Sequence, residues 1–341
     1  MLQLGLTGTN SVVRAALSFI TFVSLVTPVY AQGRIDQAKK EGKIGYYTTM
    51  NMSETSKLIK PFRKKYPFLK VNIFRTGDEA MLTKIETEAR LGRHLWDVLA
   101  ITGFTGYYLY SKGFFAKYNS PERKFFPSGS KDKEGYWTSS YSNSHIVVYN
   151  TNLVPKNQAP KSWQDLLDPK WKGKLALDAK DYEWFANMLA FMGKEKGLAY
   201  MKRLAAQDLR IQRGHTLLTQ LVAAGEMSVG IAMYGHRVEQ MKKRGAPLEW
   251  AGLNPVVLNL HPLALSAHAP HRNAGTLLID YLLSKEAAKV IQSVSRIPDR
   301  VDVPPDPPSL VKGVPILASD LSLVKDYNRY VKLYRKIFNV H

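Results

Sequence analysis

From Lys43 onward the chain alternates short runs of β-branched and aromatic residues with stretches whose apolar positions recur every three to four residues. That alternation predicts an α/β architecture. The first strand, Lys43–Tyr47, empties into the polar loop Thr48–Ser53, and Leu58, Ile59, Phe62 and Tyr66 then share one face of a helix. Pro61 inside that helix predicts a kink or a late start. A second strand, Val71–Phe74, leads through Arg75, Thr76 and Gly77 to Asp78, which is placed to cap a helix. The stripe of that helix is Met81, Leu82, Ile85 and Ala89, and Gly92 is its stop. A third strand, Asp97–Ile101, gives way to Thr102 and Gly103 and an aromatic helix around Tyr107 and Tyr108. This is a βαβαβ half wound on a parallel sheet.

Between Phe114 and Trp137 the periodicity stops, and Ser144–Tyr149 reads as a strand leaving the first unit. Ser162 is placed to cap a short helix that opens a second unit. Its strands are predicted at Leu175–Leu177, Leu209–Gln212, Ser228–Met233 and Pro255–Leu260. Its helices are predicted at Tyr182–Met192, Glu195–Ala206, Thr216–Ala224 and His236–Lys243. After Ala267 come amphipathic helices at Ala274–Leu283 and Lys285–Ser293, a Pro/Asp-rich loop at Arg300–Pro308 and a last helix at Leu321–Phe338. The predicted organisation is two lobes, residues 32–140 with 262–341 and residues 141–261, crossed near 138–150 and 255–265.

The N-terminus changes the address. Residues 1–31 hold one charge, Arg14, then an apolar run Ala15–Val26 and the small-residue pattern Val29-Tyr30-Ala31. This reads as an export signal cut after Ala31. The run stops at Pro28, short of the ~20 residues a membrane span needs. With no cysteine in the chain, a disulfide framework, a catalytic thiol, a Cys-ligated metal and a lipid-modified N-terminal Cys are all excluded. The formal net charge of +20 is dispersed over short clusters such as Lys64-Lys65, Lys242-Lys243-Arg244 and Lys332–Lys336. In an exported chain that pattern argues against nucleic acid and for a field that draws in anionic solutes or an anionic membrane.

In an open parallel sheet, ligands sit beyond the carboxyl ends of the strands, where helix N-termini present unpaired N–H groups and a positive dipole. That rule selects the loops Thr48–Ser53, Arg75–Glu79, Thr102-Gly103, Asp178–Tyr182, Arg213–Thr216 and Tyr234–His236, with Thr138–Asn143 at the crossing. The ligand-binding residues drawn from them are Thr48, Thr49, Thr102, Tyr141, Asp181, Tyr182, Arg213, His215 and Tyr234. Hydroxyls and a guanidinium at helix starts suit an oxyanion, whereas phenols with a carboxylate suit a hard metal ion. His236 with Glu239, and His268 with His271, have metal-like spacing but read better as a surface helix and a helix start. No HExxH, GxSxG, Walker or GxGxxG motif occurs, so an enzyme has no nucleophile, base or cofactor loop to stand on, and no cofactor is expected.

Five segments in order, residues 43–76, 96–98, 162–177, 218–234 and 268–284, resemble the extracellular solute-binding proteins of the iron(III)/small-anion ABC importer group. The resemblance implies the type 2 periplasmic binding fold, a ligand cleft between two hinged lobes, and a periplasmic monomer that hands its ligand to membrane permease and ATPase partners. An enzyme or a basic interaction protein on the same bilobal fold is the competing class. Ferric-binding members of the group typically carry an adjacent Tyr-Tyr pair where this chain has Tyr234 followed by Gly235. A ferric site here would draw on Tyr234, Tyr141, Tyr182 and Asp181. The residues favour an anionic or polar organic ligand over ferric ion.

Overall fold

The computed structural model describes residues 26–340, with side chains from Gly33 onward. The expected export signal and its cut after Ala31 lie outside the described residues, apart from the backbone of the last few positions. The first elements are α1 (Val26–Glu41), β1 (Lys43–Thr48), α2 (Met52–Lys65), β2 (Lys70–Arg75), α3 (Asp78–Arg90), β3 (Val98–Ala100), α4 (Gly103–Ser111), β4 (Phe115–Ala116) and β5 (Thr138–Asn150). Next come β6 (Leu175–Asp178), α5 (Tyr182–Met192), α6 (Lys194–Ala205), β7 (Arg210–Gln212), α7 (His215–Ala224), β8 (Val229–Tyr234), α8 (Gly235–Lys242) and β9 (Leu248–Ala251). The chain closes with β10 (Val256–Ser266), α9 (Arg272–Leu282), α10 (Lys285–Ser293), β11 (Ile297–Pro298), β12 (Ile316–Ala318) and α11 (Tyr327–Phe338).

The strands form one sheet in the order β2-β1-β3-β10-β5-β8-β6-β7. Strands β1, β2 and β3 are mutually parallel, as are β6, β7 and β8, while β5 and β10 run antiparallel between the two groups. These two long strands join the two groups in the sheet. On one side Leu58, Ile59 and Phe62 of α2 pack with Ile44, Val71 and Val98 under α9, each buried side chain contributing roughly 1.5–3 kcal/mol. On the other side Leu175, Leu177, Trp184, Phe185 and Ile231 form a second core. The architecture is α/β and two-lobed, with the cleft at the middle of β5 and β10.

Three local expectations change. Pro61 neither delays nor ends α2, which runs unbroken through it. Asp78 is the first helical residue of α3 and not its cap, which is Gly77, and its carboxylate turns instead to the Thr102 hydroxyl at 2.8 Å. The N-cap of the short helix Gln164–Leu167 is Trp163 and not Ser162, whose hydroxyl nevertheless accepts from the Asp165 N–H at 3.3 Å.

The C-terminus departs from the expected division of lobes. Helices α9 and α10 pack on α1, α2, β1 and β3, but α11 packs on α5 and α6, helices of the opposite lobe. Tyr334 and Phe338 of α11 are buried beside Phe185. Residues 327–338 thus pack mainly on the second core, while Tyr327 and Tyr330 also meet Phe104 and Tyr108 of α4 in the first lobe. An apolar stripe on α11 is satisfied by either lobe's core, so periodicity alone did not choose between them.

Candidate functional site

The β5 strand alternates its faces, as any strand must. Tyr141, Asn143 and His145 line the cleft, while Ser142 and Ser144 face away, Ser142 donating to Asp299 and Ser144 lying against Gly235. On β10, Asn259 pairs with Asn143, and the His261 ring stacks on Tyr141 at 4.3 Å. A bulge in β8 sits opposite Ile146–Val148 and holds Ala232 at φ 58°. Such a bulge re-aims the residues beyond it, and the next cleft residue is Tyr234.

Six helices begin at this cleft. Their N-cap residues, Asn51, Gly77, Thr102, Asp181, Gly214 and Tyr234, all line it, and none caps its own helix with a side-chain hydrogen bond. First-turn N–H groups and the positive ends of the helix dipoles thus converge on one space. That space has two continuous parts of about 440 and 450 Å³ that share Arg75, Asp78, Thr102, Gly214, His215 and Tyr234.

One end is basic. Arg296 is buried, with Nε and a terminal nitrogen on Glu54 at 2.9 and 2.8 Å, its Nη1 donating to Asn143 at 2.8 Å, and its guanidinium 4.7 Å over the Tyr141 ring. Burial opposes its charge, but Tyr141 and Glu54 hold its pKa above the usual value. Burial and the nearby Arg296 push His236 and His261 well below the ordinary imidazole range, so both are neutral rings.

The other end is acidic, with Asp78, Glu79, Asp178, Asp181 and Glu183 along its walls. Burial raises Asp78 and Asp178, and lifts Glu183 to about 8 against the help of Ser319 and the Phe104 N–H. Burial would raise Asp181 too, but the His215 and His145 imidazoles hold it at about 2. His215 in turn reaches about 9, because Asp181 and Asp178 outweigh its burial.

The structure gathers most of the residues singled out in the sequence. Thr102, Asp181, Tyr182, Arg213, His215 and Tyr234 line the acidic end, and Thr49 and Tyr141 the basic end. Thr48 is fully buried below the cleft, its hydroxyl accepting from the Met50 N–H at 3.1 Å, so it shapes the loop from behind. In the ferric set, Tyr182 donates to Glu79 at 3.0 Å, Tyr141 lies under Arg296, and Tyr234 stacks on His215 at 4.0 Å. Of the metal-like pairs, Glu239 accepts from the Trp250 indole, and His271 N-caps α9 while its ring meets Asp97 at 3.0 Å.

Sequence reasoning missed Arg296, Asn259, His261, His145 and Glu183. A faint signal existed for Arg296, a lone cation between the apolar residues Val294 and Ile297. Several buried cleft atoms also lack a partner within the protein, among them Asn143 Nδ2, Asp181 Oδ2, His236 Nδ1, Asn259 Oδ1 and His261 Nδ1. Buried polar groups are rarely left so, and a polar ligand is what would meet them.

Comparison with known proteins agrees with this fold. Residues 106–321 match the family model described as bacterial extracellular solute-binding protein. A putative 2-aminoethylphosphonate-binding periplasmic protein of Salmonella typhimurium is 30% identical over 190 residues, which cover 52% of this chain and 56% of that protein. The aligned stretch is thus only about half of that relative's length. The periplasmic binding protein AfuA of Actinobacillus pleuropneumoniae, solved with exogenous fructose-6-phosphate, superposes with TM-score 0.79 at 21% identity over 88% of this chain and 100% of that one. Iron-bound HitA of Pseudomonas aeruginosa superposes with TM-score 0.77 at 20% identity over 86% and 99%.

Proposed function

Since the chain belongs to the family of bacterial extracellular solute-binding proteins, we propose that it is the periplasmic receptor of an ABC importer and closes its two lobes on a small organic anion of the phosphonate or phosphate-ester class. The observation that carries this reading is the convergence of six helix N-termini, none capped by its own N-cap side chain, on a cleft that also contains the buried cation of Arg296. Of their N–H groups, Glu183 takes that of Phe104 in α4 and Asp178 that of Gly214 before α7. Backbone N–H groups at helix starts and a fixed guanidinium are the donors an oxyanion needs.

The anion enters at the basic end, where Arg296 and Arg75 supply charge and the neutral rings of His236 and His261 supply hydrogen-bonding nitrogens. Binding without turnover fits the site, and delivery to permease and ATPase subunits follows from the family. Of the three proteins compared, the putative 2-aminoethylphosphonate-binding protein and AfuA with fructose-6-phosphate point to a tetrahedral oxyanion, which supports the same class here, whereas HitA is iron-bound. Ferric binding is the weaker reading, because the adjacent Tyr-Tyr pair of ferric-binding members is reduced here to Tyr234 followed by Gly235.

Calorimetry with 2-aminoethylphosphonate, fructose-6-phosphate, inorganic phosphate and ferric citrate tests the proposal. A phosphonate or phosphate ester is expected to bind, and at 100 times its Kd to raise stability by about 2.7 kcal/mol. A coloured ferric complex that is lost in Tyr234→Phe, with no anion bound, would overturn it.

A further inference from the structure

At the acidic end two imidazoles meet one buried carboxylate. We propose that His145, Asp181 and His215 form a binding site for a divalent transition-metal ion of the zinc class on the second-lobe wall of the cleft. One ligand atom from each residue lies within 4.8 Å of the other two. Asp181 Oδ1 is 2.9 Å from His215 Nε2 and 3.5 Å from His145 Nε2, and Asp181 Oδ2 is buried with no partner in the protein.

The three residues come from three fixed places: the middle of β5, the N-cap of α5 and the first residue of α7. Two imidazoles and one carboxylate are the donor set of zinc and its neighbours, and three protein ligands leave a position open for an exogenous oxygen. His215 also has an outer partner. Its Nδ1 lies 3.5 Å from Asp178 Oδ2, which the Gly214 N–H holds at 2.6 Å. A carboxylate behind a ligating histidine fixes the ring and its tautomer. Tyr234 covers the His215 ring on one face.

The site differs from the phenolate set weighed for ferric ion, and it does not depend on the anion reading. If both hold, the open position faces the cleft in which the anion sits. Without an ion, Asp181 would simply bridge the two imidazoles by hydrogen bonds, and the experiment separates these cases.

Untagged mature protein, dialysed against a chelator, is titrated with Co²⁺ alone and then with Zn²⁺ as competitor. A visible cobalt band that saturates at equimolar metal and is displaced by zinc is expected. His145→Gln and His215→Gln should abolish it, Asp178→Asn should weaken zinc affinity by about 10- to 100-fold, and His271→Gln should leave it unchanged. Far-UV circular dichroism and thermal unfolding of each metal-free variant establish folding, and if His215→Gln does not fold, His145→Gln and Asp178→Asn decide. Absence of the band, or a band that survives in folded His145→Gln, overturns the site. The same metal-free protein titrated with 2-aminoethylphosphonate and with ethylphosphonate reports separately on the anion. Tight binding of the amine alone, with no metal uptake, would show that the ligand's ammonium group takes the place assigned to the ion.

Discussion

The two ends of the cleft are built from the same kinds of element, strand ends and helix starts, yet one gathers most of the carboxyl groups and the other a buried guanidinium. At the basic end the buried cation is Arg296, held against Glu54 and Tyr141, and the His236 and His261 imidazoles are neutral. At the acidic end Asp78, Glu79, Asp178 and Asp181 stand among Arg75, Lys180, Arg213 and His215, and a fifth carboxyl, Glu183, is pushed up to about 8 by burial. The formal charge of +20 foretells neither. Net charge describes the long-range field around a protein, whereas a site is decided by which few charges the fold buries and what it pairs them with.

The largest expected effect comes from breaking the basic end at its centre. Arg296→Met leaves Glu54 buried and without its main partner, and removing one member of a buried pair costs about 3–5 kcal/mol. Chemical denaturation should show that loss, and calorimetry should show anion affinity falling by at least about 100-fold, as for a buried charge-assisted contact. The double variant Glu54→Gln with Arg296→Met separates the two roles. It should recover much of the stability and none of the binding, and recovered binding would remove Arg296 from the site.

The two ends also differ in how far the sequence revealed them. The alternation of periods placed β1 to β3 and β6 to β8 with their helices, and the rule that ligands sit at strand carboxyl ends then led to Asp181, Tyr182, His215 and Tyr234 at the acidic end. The basic end was less legible because Arg296, Asn259 and His261 do not follow parallel strands. They come from the segment after α10 and from the returning strand β10, brought in by pairing across more than 100 residues of chain. Helix α1 was missed for another reason. Among its described residues Ala38 is fully buried, and the helix is tied down by Arg34 to Asp280 and by the Glu41 carboxylate on the Asn273 and Ala274 N–H groups, so no apolar stripe announced it.

A smaller effect should come from behind the basic end. Asp299 sits on the opposite face of β5, where it accepts from Ser142 at 2.5 Å, and burial raises its pKa to about 7 despite the Ser139 and Ser142 hydroxyls. An acid whose folded pKa exceeds its unfolded value binds more protons when folded, so it stabilises the fold at low pH. That contribution is lost as pH rises from about 4 to about 7. Relative to Asp299→Asn, the natural protein should lose roughly 2–4 kcal/mol of stability between pH 4 and 8. Parallel denaturation curves for the two proteins across that range would show that Asp299 is not buried in its neutral form.

The smallest expected effect lies at the mouth of the acidic end, where Glu79 of α3 reaches across to the other lobe. Its Oε1 accepts from the Tyr182 hydroxyl at 3.0 Å and from Arg335 at 3.2 Å, while Oε2 pairs with Lys180. Arg335 belongs to α11, so a helix packed mainly on α5 and α6 supplies one arm of this contact. These side chains are about a quarter to two-fifths exposed, and exposed ion pairs contribute little each, roughly 0.2–1 kcal/mol. Three partners on one carboxylate that forms only when the lobes meet should therefore bias closure modestly and leave the donors that hold the ligand untouched. Glu79→Gln is expected to weaken ligand affinity by about three- to tenfold, chiefly through faster release, with little change in the stability of the ligand-free protein. Stopped-flow release kinetics distinguish this from damage to the site: a slowed association rate with unchanged release would mean that Glu79 steers the ligand in and does not hold the lobes shut.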